Sequence, residues 1–528
     1  MLSSLWFALL VLTTLVGVTS TVKVDIKRNL VARNDQLRRR AEHNRLLKQA
    51  DGNGVMVPLA NSLAQGLYFA NVTVGTPPQQ LALQIDTGSS DVWLPSSSST
   101  HCQSAKPERC PFGSFSASDS STFSVVGPGQ FNITYVDGTG AVGDYFQDNF
   151  GIGDATLPGL EMGLGIDTNI GIGILGIGYN NSEANTYLAN GGNGTIYQNL
   201  PSALVSQGQA NSEAYSLWLN DLESSTGSIL FGGVDTTKFT GDLKSLRVYP
   251  SSRKHGIDSF IVSFTSLSAT SSSGSDQLTP ADFAVPAILD SGTTITLLPD
   301  KIAALIFEEL GAVPEDQLGA VLAPCSLSQN SGTLNYAFGG PDGPNIQVAV
   351  SDLILPLTDS KGTSLTLKDG QTACQLGIEP AGTLPVLLGD TFLRSAYAVY
   401  DLVNNRVALA QAKFNVSDSH IVSFPSFGAP IPVAKTVSNE IQVTPTASYI
   451  PEMSDTPVVS ATGTLLVEES PSPTQLNARA GFAKSTPAHN SSKKSVASNR
   501  PEPSAWPWAL VSSLSVALLS VGSIFFLL

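Results

Sequence analysis

The sequence predicts an all-β chain folded as two homologous lobes with a cleft between them. Three observations carry that expectation. Only 13% of the 528 residues are charged, Gly numbers 47, and short apolar runs alternate with Gly, Asn, Asp and Pro turns. This is the pattern of many short strands. Two octapeptides nearly repeat each other: Leu83-Gln84-Ile85-Asp86-Thr87-Gly88-Ser89-Ser90 and Ala287-Ile288-Leu289-Asp290-Ser291-Gly292-Thr293-Thr294. Each is followed at long range by two apolar residues and a Gly, in Ile174-Leu175-Gly176 and Leu387-Leu388-Gly389. A repeat this widely spaced points to a duplicated lobe rather than an array of short units.

Residues 1–20 read as a signal peptide. Leu5 to Val18 is apolar, and a cut after Ser20 is expected, although the n-region lacks Lys and Arg. Residues 21–60 read as a basic propeptide. The span 21–50 holds nine Lys or Arg against three Asp or Glu, and Arg38 to Lys48 can form a basic amphipathic helix. The rest of the chain is acidic, so this segment has an electrostatic partner in its own molecule. The alternative is a solvated basic helix.

The N-terminal β lobe is expected over 61–265 and the C-terminal β lobe over 266–415. Strand alternation starts at Tyr68-Phe69-Ala70-Asn71-Val72-Thr73-Val74 and persists to about Lys413. Two helices are expected inside it. Pro201 to Gln207 is short; Asp300 to Leu310 has helical apolar spacing, Pro299 before it and Gly311 to end it. Residues 268–280 read as a Ser-rich loop between the halves.

Residues 416–504 are rich in Ser, Thr, Pro and Ala and predict a disordered, O-glycosylated stalk. Residues 505–528 form an apolar tail. With small residues near Asn490 and a polar spacer between, they describe a GPI-attachment signal. Asn490 is the attachment candidate, with Ser491, Ser492 or Ser498 as alternatives. A plain C-terminal membrane helix is the competing reading. Both ends together place the protein on the secretory route to the cell surface, at the plasma membrane or in the cell wall. Sequons at Asn71, Asn132, Asn180, Asn193, Asn415 and Asn490 fit that route.

The formal charge of −15 argues against a nucleic-acid partner, since phosphate contact needs a basic face. Four cysteines in a secreted chain imply disulfides. Of the three pairings, Cys102 with Cys110 and Cys325 with Cys374 keeps each bond within one half; free thiols or a metal site are the alternatives. The five His lack zinc-ligand spacing, so no metal and no other cofactor is expected.

The repeated aspartates carry the chemistry. A Gly after each Asp permits a tight turn. Hydroxyls of Thr87, Ser89, Ser291 and Thr293 can donate to the carboxylates or brace the facing loop. Two neighbouring carboxyls cannot both ionise easily, so they share a proton. One then activates a water and the other protonates a carbonyl oxygen, best below about pH 6. A serine or cysteine hydrolase fits poorly, because there is no G-x-S-x-G elbow.

From roughly Gly66 to Lys413 the chain resembles the pepsin-type aspartic proteases. The resemblance implies a bilobal pepsin-like fold, with Asp86 and Asp290 as the catalytic pair. It implies Tyr135, in Asn132-Ile133-Thr134-Tyr135-Val136-Asp137-Gly138-Thr139, as the flap tyrosine, and Trp93 as its partner. Gly88, Gly292 and Thr293 would line the substrate's path. Leu388-Gly389-Asp390-Thr391-Phe392-Leu393-Arg394 matches the family's closing region. The family often has Gly where this chain has Val136. The propeptide, stalk and tail make the chain most similar to the yapsin-like, GPI-anchored aspartic proteases of fungi, which tend to cut after basic residues. Asp137 could pair with a substrate Lys or Arg, or could simply suit the Asp137-Gly138 turn. Protein and peptide substrates and a monomeric state are expected.

Overall fold

The computed structural model describes residues 22–27, 67–103, 109–135, 138–186, 194–222, 226–251, 256–272, 274–315, 318–358, 363–367 and 369–443. Strands dominate, and each half builds the same knot. In the first half, Gln79–Asp86 enters the aspartate turn and Val92–Pro95 leaves it. Ile174–Gly176 lies between them, parallel to the first (Asp86 opposite Gly176) and antiparallel to the second (Trp93 opposite Ile174). In the second half Val285–Leu289 enters and Thr296–Leu298 leaves. Val386–Leu388 is the intervening strand, with Leu289 opposite Leu388 and Thr296 opposite Leu388. The fold is thus the two-lobed β architecture that the sequence predicts.

The distal glycines have a steric reason. A Cβ on Gly176 would lie 2.5 Å from the Asp91 carbonyl oxygen, and one on Gly389 would lie 2.2 Å from that of Ile295. Neither approach leaves room for a side chain.

A shared sheet joins the halves. Ala214–Trp218 of the first half pairs antiparallel with Ala396–Asp401 of the second, Ser216 opposite Val399. Val22–Lys27, from the basic N-terminal segment, also belongs to this sheet. It pairs along its whole length with Thr226–Phe231, from Val22 opposite Phe231 to Lys27 opposite Thr226. The core follows strand alternation: Leu81, Leu83 and Ile85 are buried on the strand that ends at Asp86.

Both expected helices form, as Leu200–Ser206 and Asp300–Leu310. The second buries Ile302, Ala303, Ile306, Phe307 and Leu310 on one side and ends at Gly311 with φ 65°.

Two expectations are corrected. Residues 268–280 are not a loop: Ile261–Ser271 and Gly274–Gln277 form a hairpin, Ser268 opposite Gln277. Its Ser and Thr residues serve on a strand whose Leu267 and Ala269 point into the core. The stalk expected from 416 is also corrected over 416–443, where the chain is folded against the body. Ile421–Ser423 pairs with Gly233–Asp235. Phe424 is buried, and Lys435–Thr436 runs parallel to Phe239–Arg247. The Lys238 ammonium fixes the start of this strap. It donates to the carbonyls of Val416 (2.6 Å) and Asp418 (3.0 Å) and lies 4.3 Å from the Trp218 ring centroid. Glu440 near its end accepts from the Arg247 N–H at 3.0 Å.

The remaining expected signal peptide, the rest of the basic segment, the stalk beyond 443 and the apolar tail lie outside the described residues. Among the described residues no helix is long and apolar enough to cross a membrane.

Candidate active site

The two aspartate turns meet back to back through their hydroxyl residues. The Thr87 hydroxyl donates to the Leu289 carbonyl at 3.0 Å and accepts from the Ser291 N–H at 2.9 Å. The Ser291 hydroxyl donates to the Ile85 carbonyl and accepts from the Thr87 N–H, both at 3.1 Å. Four bonds related by an approximate twofold axis therefore lock the loops together. All four lie in the buried centre of the molecule, where a lost partner leaves an unsatisfied polar group.

Above this lock the carboxyls of Asp86 and Asp290 face each other within hydrogen-bonding reach, and both are fully buried. Each is held in the same way. The Gly88 N–H donates to Asp86 Oδ1 and the Gly292 N–H to Asp290 Oδ1, both at 2.8 Å. The Ser89 hydroxyl donates to Asp86 Oδ2 and the Thr293 hydroxyl to Asp290 Oδ2. Burial pushes the Asp86 carboxyl well above the usual carboxylate range, and the charge of Asp290 adds to that. Burial also raises Asp290, although the Thr293 hydroxyl and the Gly292 N–H oppose it. A pair held this way retains one proton in acid, so it presents a base and an acid side by side.

Tyr135 and Trp93 come together as expected. The Trp93 Nε1–H donates to the Tyr135 hydroxyl at 2.7 Å, and both side chains are fully buried. The hairpin expected as the flap is formed by Ser124–Thr134 and Gly140–Ile152, closed by the Tyr135 N–H to the Thr139 carbonyl at 2.8 Å. Val136 and Asp137 lie outside the described residues.

The sequence had given no sign of two further groups. The Gln84 side-chain amide donates to the Gly292 carbonyl at 3.1 Å, a bond from one half to the other half's turn that has no twofold mate. Asp91, just before Trp93, is buried and accepts from the Tyr145 hydroxyl (2.8 Å), the Tyr197 hydroxyl (2.9 Å) and the Ala184 N–H (2.7 Å). Its partners come from distant segments, so no local pattern signals it.

Away from the pair, Cys102 is bonded to Cys110 and Cys325 to Cys374. Asn71 and Asn415 are exposed, Asn132 and Asn180 half-buried, and Asn193 and Asn490 lie outside the described residues. Among the described residues no cluster of three or more His, Cys, Asp or Glu could hold a metal ion.

The model of the eukaryotic aspartyl protease family matches residues 67–412, well over half of the chain. The chain belongs to that family. It is 41% identical over 429 residues to the probable aspartic-type endopeptidase opsB of Aspergillus fumigatus, covering 80% of this chain and 83% of that one. It is 34% identical over 395 residues to the aspartic proteinase yapsin-3 of Saccharomyces cerevisiae, covering 73% of each. Among solved structures, the aspartic proteinase from Irpex lacteus superposes with a TM-score of 0.52 at 23% identity, over 69% of this chain and 99% of that one, which shows the fold. The protease is therefore an aspartic-type endopeptidase acting on protein and peptide substrates. Its family match stops at 412, so the strap through 443 lies beyond it.

Proposed function

We propose that Asp86 and Asp290 are the catalytic pair of an acid endopeptidase made as a precursor and tethered at the cell surface. The observation that carries this reading is the matched support of two buried, facing carboxyls. The ionised carboxyl takes a proton from a water; the protonated one donates to the scissile carbonyl oxygen. A tetrahedral gem-diol forms, a proton passes to the leaving nitrogen, and the C–N bond breaks with no covalent enzyme intermediate. Tyr135, held by Trp93, closes over the substrate. Thr87 and Ser291 keep the carboxyls in register.

The finer parts of the proposal rest on the sequence. The basic segment 21–60 is the propeptide; its sheet strand Val22–Lys27 supports a segment folded with the body before removal. The polar stretch beyond 443 is the stalk, and the tail 505–528 with Asn490 is the GPI signal. The protein acts as a monomer. Asp137 gives a preference for Lys or Arg at the cleavage site through a charge-assisted hydrogen bond.

Hydrolysis of a peptide library at pH 3 to 8 tests the reading. Cleavage confined to acid supports it; cleavage only at neutral pH overturns it. Asp137→Ala should flatten any excess of cleavage beside basic residues, and an unchanged profile would return Asp137 to a turn role.

A further inference from the structure

A second concave site lies on the N-terminal half, and none of its lining residues belongs to the catalytic pair or the flap tyrosine. It is a hollow of about 360 Å³ between the start of Ala155–Thr168, the residues 196–198 and the helix Leu200–Ser206. Leu160 and Ile196 form an apolar wall, Tyr197 supplies an aromatic ring, and Gln147, Glu161 and Gln198 supply oxygen acceptors. Among the described residues no Lys, Arg or His lines it.

The ground behind the hollow is acidic. The Tyr197 hydroxyl donates to Asp91, and the Tyr197 N–H donates to Glu183 Oε2 at 2.9 Å. Asp91 and Glu183 are fully buried, and Glu183 Oε1 has no hydrogen-bond partner among the described residues. Glu161 receives one long bond, from Gln147 Nε2 at 3.4 Å. Burial holds Glu161 above its usual range, with the Asp91 charge adding to it, and pushes Glu183 up to about 10. Three carboxyls thus surround Tyr197, and of these Glu161 is the one that lines the hollow.

The shape and chemistry select a ligand. A metal ion is too small for this volume and finds no cluster of ligands among the described residues. A guanidinium fits every surface. Its planar fork suits a carboxylate and amide oxygens, its face suits a tyrosine ring, and its methylenes suit the apolar wall. We propose that this hollow is an accessory site for an arginine side chain, with the guanidinium on Glu161 and the glutamine oxygens. That side chain has two sources: this chain's own basic segment, with Arg28, Arg33, Arg38, Arg39, Arg40 and Arg45, or a protein substrate docking away from its scissile bond.

Calorimetric titration of Nα-acetyl-arginine amide into the full-length protein carrying Asp290→Asn tests this without reading hydrolysis. It therefore stands or falls apart from the proposed catalytic pair. Saturable binding is expected, with no binding of Nα-acetyl-norleucine amide. Adding Glu161→Gln, which keeps size and half-exposed position, should weaken binding at least about ten-fold through loss of the charge-assisted bond. No saturable binding even after the basic segment's arginines are changed to Gln, or equal affinity in the Glu161→Gln protein, would overturn the proposal. Changing these six arginines to Gln distinguishes the sources. Tighter probe binding assigns the hollow to the chain's own segment; unchanged binding assigns it to an external chain.

Discussion

At the scale of single residues, the lock beneath the carboxyls joins the two aspartate turns through four buried hydrogen bonds. Thr87→Val removes a hydroxyl that donates to Leu289 and accepts from Ser291, leaving two buried groups unpaired. A loss of roughly 1–3 kcal/mol per unpaired group is expected, read as a fall in melting temperature together with a fall in kcat. Trp93→Phe keeps an aromatic plug but withdraws the donor to Tyr135. With Tyr135 no longer held, kcat/KM should fall about ten-fold, the equivalent of one ordinary hydrogen bond, and the lost volume of a fully buried Trp should lower the melting temperature as well. The aspartates, their hydroxyl neighbours and the tyrosine–tryptophan couple were legible in the sequence because each sits in a local motif. Gln84 and Asp91 were not, because what defines them is a partner more than fifty residues away in sequence, Gly292 for one and Tyr145 and Tyr197 for the other.

Among the elements, the strap from 414 to 443 departs most from what the sequence suggested. Its buried residues, Phe424, Ile431, Val437 and Val443, follow neither a strand nor a helix period. Much of its attachment is backbone hydrogen bonding, such as the Ile441 N–H to the Gly339 carbonyl at 3.0 Å. A segment held this way has a loop-like composition, so it read as the start of a stalk. Helix Asp300–Leu310 was the opposite case, since its apolar spacing and closing glycine declare it locally. The strap should contribute to the stability of the body it crosses. Phe424→Ala should cost about 3–5 kcal/mol, the usual range for a buried Phe, seen as a clear drop in melting temperature with normal hydrolysis at low temperature. An unchanged melting temperature would mean that the strap only rests on the surface.

For the whole molecule, the balance of buried carboxyls sets the direction of its pH response. Asp86, Asp91, Asp290, Glu161, Glu183, Glu213, Asp401 and Glu440 are all raised in the folded state, with burial the largest cause for each. Burial works to raise Asp235, but hydrogen bonds from Ser419, His420 and Thr237 outweigh it and lower that carboxyl. Above the ordinary carboxyl range of about pH 4 the unfolded chain has released these protons while the fold still holds them. Stability therefore falls as pH rises through the raised values. Calorimetry should find a higher melting temperature near pH 4 to 5 than near pH 8; a steady rise toward pH 8 would contradict this. The same burial ties stability to activity, because the two carboxyls at the junction of the halves need their shared proton for both. The most direct test of that junction is hydrolysis of one neutral peptide at acidic pH by the wild-type protein and by Asp290→Asn. The pair predicts a loss of kcat of at least about a thousand-fold with the fold preserved. Full activity in Asp290→Asn would show that the two aspartates do not act as one site.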